Sequence, residues 1–98
     1  MTINTQKDGA ALVLALEGRL DTTTSPELEA VLAKELPDAQ SLTMDLAGLS
    51  YLSSAGLRLL LSAQKTMSAR DGMTVKNVNE TIMEVFEITG FSDILTIE

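Results

Sequence analysis

Between Leu42 and Leu61 the spacing of apolar residues changes period, and that change restricts the fold more than any other stretch of the chain. Leu42, Met44 and Leu46 recur at every second position, which places them on one face of an extended strand. Leu57, Leu60, Leu61 and Met67 instead fall at helical spacing, in a helix predicted from about Ala55 to Ala69. A short polar loop joins the two and delivers Ser53 and Ser54 to the helix start. The first backbone N–H groups of a helix lack internal partners and carry partial positive charge. A hydroxyl held there is a good cap and also a good place to hold a phosphate.

The rest of the chain repeats the alternation. Ile3 and Thr5 suggest a short first strand, and Lys7-Asp8-Gly9 reads as a turn. Leu12, Leu14 and Leu16 then alternate with Val13, Ala15 and Glu17, which predicts a strand mostly buried on both faces, ended by Gly18-Arg19-Leu20-Asp21. A helix should follow, with Ser25 as cap, Pro26 at its first position and Glu27 and Glu29 at its positive end. Its buried stripe would be Leu28, Val31, Leu32 and Leu36, with Pro37 as the stop. Arg70-Asp71-Gly72 closes the helix that begins at the serines, and Thr74–Val78 reads as a strand. Asn79 can cap a third helix carrying Ile82, Met83, Val85 and Phe86, with Gly90 as its left-handed C-terminal residue. Ile94, Leu95 and Ile97 complete a last short strand. The order ββαβαβαβ predicts a small α/β fold, a mixed sheet packed with helices. Residues 1–98 are too few for a second core, so one domain is expected.

Composition removes whole classes of function. With 14 acidic and 7 scattered basic residues the net charge is −7, which argues against nucleic acid and against an anionic membrane surface. Cys and His are both absent, which removes thiolate chemistry, the commonest general base and the commonest metal ligand. No run approaches the roughly 20 apolar residues that span a bilayer. The N-terminus has no basic stretch followed by an apolar one, so a cytoplasmic protein without membrane insertion is expected. A serine hydrolase would need a base, and neither a Gly-x-Ser-x-Gly elbow nor a Ser-x-x-Lys spacing at the serine loop supplies its setting. The glycine patterns that cradle nucleotide phosphates are missing too. The expectation is a non-enzyme with no catalytic residue, cofactor or metal.

One serine is enough to cap the helix, which leaves the other exposed beside the small Ala55 and Gly56, where a partner or a kinase could approach. Arg58 stands in the first turn, where a cation opposes the helix dipole; it could face a partner, a phosphate or only solvent. Leu59 lies off the apolar stripe and is either a partner contact or covered by a broad packing face. Asp21 reads as a turn residue, and Thr22, Thr23 and Thr24 as capping residues or rim contacts.

Three stretches together resemble a known family: Gly18-Arg19-Leu20-Asp21, Asp45 to Leu57 around the serines, and Val85-Phe86-Glu87-Ile88-Thr89-Gly90-Phe91. The chain resembles a STAS domain, specifically a bacterial anti-sigma factor antagonist. The resemblance implies a phosphoprotein of transcription regulation and signal transduction that works by partner switching. The unphosphorylated form would bind an anti-sigma factor of the GHKL serine kinase type and release the sigma factor. Phosphorylation would switch binding off, and a serine phosphatase would reset it. The family motif puts the phosphate on Ser54, with Ser53 as a rival because the family often has Asp there. Asp21 should lie near the serine, and Asp21, Thr22, Thr23, Ser53, Ser54, Ala55, Gly56 and Arg58 would meet the partner. Two alternatives remain: an unphosphorylated structural subunit of a membrane transporter complex, and a sensor of a nucleotide or lipid.

Overall fold

In the computed structural model, which describes residues 1–98, strands β1 (Thr2–Asp8) and β2 (Ala11–Leu20) open the chain as an antiparallel hairpin. Helix α1 (Ser25–Glu35) leads to β3 (Ser41–Leu52), α2 (Ser54–Ser68) to β4 (Met73–Lys76), and α3 (Glu80–Thr89) to β5 (Thr96–Ile97). The sheet order is β1-β2-β3-β4-β5, and β2 to β5 run parallel to one another. Each helical crossover therefore steps in the same direction, and right-handed crossovers then place the helices on one face of the sheet.

That one-sidedness corrects the expectation for β2. Leu12, Leu14 and Leu16 are buried beneath the helices, but Val13 and Ala15 are only half-buried. They share the uncovered face with Thr43, Asp45, Thr74 and Lys76, where no helix lies to bury them. The buried side chains, among them Leu14, Met44, Leu60, Met67 and Phe86, form one continuous cluster between sheet and helices.

Helix ends follow local chemistry. Pro37 lies in a 3-10 turn, Leu36–Asp38, which succeeds α1. Ser25 is buried as the first helical residue rather than the cap: its N–H and its hydroxyl both donate to the Asp21 carbonyl. In α2 the fully covered positions are Leu57, Leu60, Ala63 and Met67, while Leu61 flanks the stripe half-buried. The last strand is shorter than expected. The N–H groups of Ile94 and Leu95 both donate to the Phe91 carbonyl oxygen, which holds them in a turn and out of the ladder.

Asn79 caps α3 as its position suggests. Its Oδ1 accepts from the Ile82 N–H at 2.9 Å, and its Nδ2 donates to the Leu49 carbonyl at 2.9 Å. Gly90 ends the helix at φ 82°, a left-handed conformation that glycine takes without steric cost. Asn79→Ala removes both bonds and is expected to cost about 1–2 kcal/mol, read as a lower urea midpoint at unchanged slope. Asn79→Asp keeps the cap acceptor and should fall between the two.

Candidate partner-binding site at the start of the second helix

β3 outruns β4. β4 pairs only with Leu42 to Asp45, whereas β2 continues beside β3 as far as Leu20 opposite Leu52, across two register shifts. Parallel strands that end together deliver their following residues together. Asp21 and Ser53 thus emerge side by side, and the Ser53 N–H donates to the Leu20 carbonyl at 2.9 Å. The fold brings the Asp21 loop to the serine loop.

The two serines differ in what they do. Ser53 is the N-cap of α2, in extended conformation, and its hydroxyl oxygen accepts from the Gly56 N–H at 3.4 Å. Ser54 is the first helical residue; its side chain is exposed and makes no hydrogen bond within the chain. Thr22, Thr23 and Arg58 are also exposed, and Ala55 is half-buried. Gly56 is not on this surface. It is buried against Leu20 and Leu52, where an added Cβ would lie 2.7 Å from Leu20 Cγ and from Leu52 Cδ1. Its part is to let the helix start approach the strand ends.

Asp21 organises the loop. Its Oδ1 accepts from the N–H groups of Thr23 and Thr24, both at 3.0 Å, and its Oδ2 lies 3.7 Å from Arg19 Nε. Its own N–H donates to Thr24 Oγ1, which in turn donates to the Arg19 carbonyl. The Thr24 N–H does most to hold the Asp21 carboxyl below its ordinary pKa; burial opposes it, and the Thr23 N–H, the Thr24 hydroxyl and the Arg19 charge add smaller lowering effects. On the uncovered face, Asp45 is lowered as well, by the Asn77 amide first, then the Ala47 N–H and the Lys76 charge.

A carboxyl whose pKa falls on folding stabilises the folded state above its unfolded pKa, about 4 for Asp. That contribution fades as the pH drops through the lower folded-state value. The melting temperature should therefore be flat above about pH 5 and fall below about pH 4. Thermal scans of an Asp21→Asn/Asp45→Asn variant should show a shallower fall than wild type.

A shallow cleft of about 380 Å³ runs between the first turns of α1 and α2, with Thr22, Ser25, Glu29, Ala55 and Arg58 on its walls. Further along the same two helices lies a groove of about 480 Å³ that includes Leu32, Leu36 and Leu59. Leu59 is half-buried there, packed against the core. No helix is long and apolar enough to cross a membrane.

Sequence reasoning missed one pair at this edge. The Arg19 guanidinium stacks over the Tyr51 ring at 4.1 Å from its centroid, and both residues are exposed. Tyr and Arg are the residue types that most often dominate the energy of an interface. Their meeting depends on the register shifts that set Arg19 opposite Tyr51, which spacing alone does not reveal.

The chain belongs to the STAS domain family: the family described as "Mlab, STAS domain" matches residues 3–96. Among its relatives, the anti-sigma-B factor antagonist of Staphylococcus epidermidis is 39% identical over 83 residues, covering 80% of this chain and 74% of the relative. The crystal structure of an anti-sigma factor antagonist from Mycobacterium paratuberculosis has the same fold, with TM-score 0.89 at 22% identity over 98% of this chain and 83% of that one. The Bacillus cell fate determinant SpoIIAA in its phosphorylated form is similar in fold too, with TM-score 0.77 at 19% identity over 99% and 91% of the two chains.

Proposed function

We propose that this protein is an anti-sigma factor antagonist that works as a partner switch. The unphosphorylated chain binds an anti-sigma factor, itself a GHKL-type serine kinase, and so frees the sigma factor. Phosphorylation of Ser54 ends the binding, and a serine phosphatase restores it. The observation that carries this reading is the division of labour between the serines: Ser53 caps the helix and leaves the Ser54 hydroxyl exposed and unbonded. The kinship with named anti-sigma factor antagonists supports the class of partner.

The binding face consists of Asp21, Thr22, Thr23 and Ser53, which follow the joined strand ends, and of Ser54, Ala55 and Arg58 at the start of α2, with Gly56 behind it as a spacer. A phosphate on Ser54 adds about 1.5–2 negative charges in the first turn of α2, where the helix dipole tolerates an anion. The same charge then stands beside the ionised Asp21, at the centre of a contact that must lose water to form. Binding is lost and the fold is kept.

The test is capture of partners from the native cells by wild type and Ser54→Asp in parallel. A GHKL-type kinase bound by wild type and absent with Ser54→Asp is the expected result. Equal capture of a transporter ATPase by both would sink the proposal in favour of the structural-subunit reading.

A further inference from the structure

We infer that Arg58 receives the phosphate of modified Ser54, so that phosphorylation withdraws the uncommitted guanidinium of the binding face as well as adding negative charge to it. The inference rests on the phosphorylation reading above and adds to it a named residue and a device.

Ser54 and Arg58 stand four residues apart on α2, both exposed, and residues at that spacing are neighbours on one helix face. Long helical side chains lean back over the turn N-terminal to their own Cα. That lean brings Ser54 within reach of Arg58, which stands on the wall of the cleft between α1 and α2 with Ala55, Leu59 and Ser62. A guanidinium and a phosphate meet by paired hydrogen bonds, which suits the fork of Arg better than the point charge of Lys.

The other arginines are engaged elsewhere. Arg19 is held by Asp21 and Tyr51, and Arg70 donates to the carbonyls of Leu36 and Ala39. Arg58 makes no hydrogen bond or ion pair, in a chain of net charge −7 and with Glu29 on the same cleft. Its position near the N-terminal end of α2 gains nothing from the helix dipole. A dianion one turn upstream reverses that: the cation and the N–H groups of the first turn then share one counter-charge. Unmodified, Arg58 offers its donors to an acidic group of a partner; after modification those donors are taken.

The charges around a phosphate on Ser54 are Arg58 on its own helix, Asp21 and Arg19 at the end of β2, and Glu29 on α1. The test is the second ionisation of that phosphate, followed by ³¹P NMR across pH 5–8 in protein carrying phosphate on Ser54 by site-specific incorporation. Free phosphoserine titrates near about pH 6. With Arg58 in contact, the wild-type phosphate should titrate at least about half a unit below that of Arg58→Gln. Arg58→Lys should keep most of the shift, and Arg19→Gln should move it less than Arg58→Gln does. Equal titration of wild type and Arg58→Gln would overturn the inference, as would a larger effect of Arg19→Gln than of Arg58→Gln. Because no kinase or partner enters the measurement, its failure leaves the switch at Ser54 untouched. Failure of partner capture, in turn, would not alter the titration.

Discussion

Ser54→Asp is expected to weaken binding of the proposed anti-sigma factor partner by about a hundredfold or more, since desolvating an added charge at an interface costs several kcal/mol and each 1.4 kcal/mol is tenfold. The fold should be unaffected. Ser54 is exposed in the first turn of α2, whose opening residues carry no acid, and an acidic side chain there gains about 0.3–1 kcal/mol from the helix dipole. Calorimetric titration and thermal melts of one preparation separate the two effects: affinity falls while the melting temperature holds or rises slightly. Alanine substitutions separate the roles of the two serines. Under the proposed switch, Ser54→Ala should bind the anti-sigma factor partner and resist phosphorylation. Ser53→Ala should still be phosphorylated but lose about 1 kcal/mol of stability with its cap. Phosphorylation that persists in Ser54→Ala and vanishes in Ser53→Ala would move the switch to Ser53.

Much of the fold was legible in the sequence because periodicity and capping are local. The alternation of Leu42, Met44 and Leu46, the Asn79 cap and the left-handed Gly90 all depend on residues within a turn or two of one another. What escaped depends on elements distant in the chain. Whether Val13 and Ala15 are covered is decided by the direction of every crossover, since the sequence of β2 looks the same with helices on one side or on both. Ser25 has the residue type of a cap, yet its N–H and hydroxyl both donate to the Asp21 carbonyl, which draws it into the helix. At the site, the serine pair stood out, but which serine caps and which is free became clear only from the helix start at Ser54. Ala55 and Gly56 read alike as small residues that keep the surface open. One is half-buried at the surface, and the other is pressed against Leu20 and Leu52 from the end of each neighbouring strand.

That difference makes Gly56→Val the substitution expected to damage the protein most, at a cost of about 3 kcal/mol or more out of a total stability of about 5–15 kcal/mol. Gly56→Ala isolates the cause. In an open helix position the change would gain about 0.5–1 kcal/mol from backbone entropy. Here the new Cβ meets Leu20 Cγ and Leu52 Cδ1 at 2.7 Å, and both leucines are buried and packed. Overpacking of about 1–3 kcal/mol outweighs the gain, so even alanine should lower the urea midpoint. The backbone at Gly56 needs no left-handed conformation, so the glycine is required by space alone. Relief comes by moving the start of α2 away from the strand ends, which breaks the Ser53 N–H bond to Leu20 and carries Ser54 away from Asp21. Gly56→Val should therefore lose partner binding and stability together, whereas Ser54→Asp loses binding alone. A Gly56→Ala protein as stable as wild type would mean that Leu20 and Leu52 can repack, and that the helix start is not fixed by this contact.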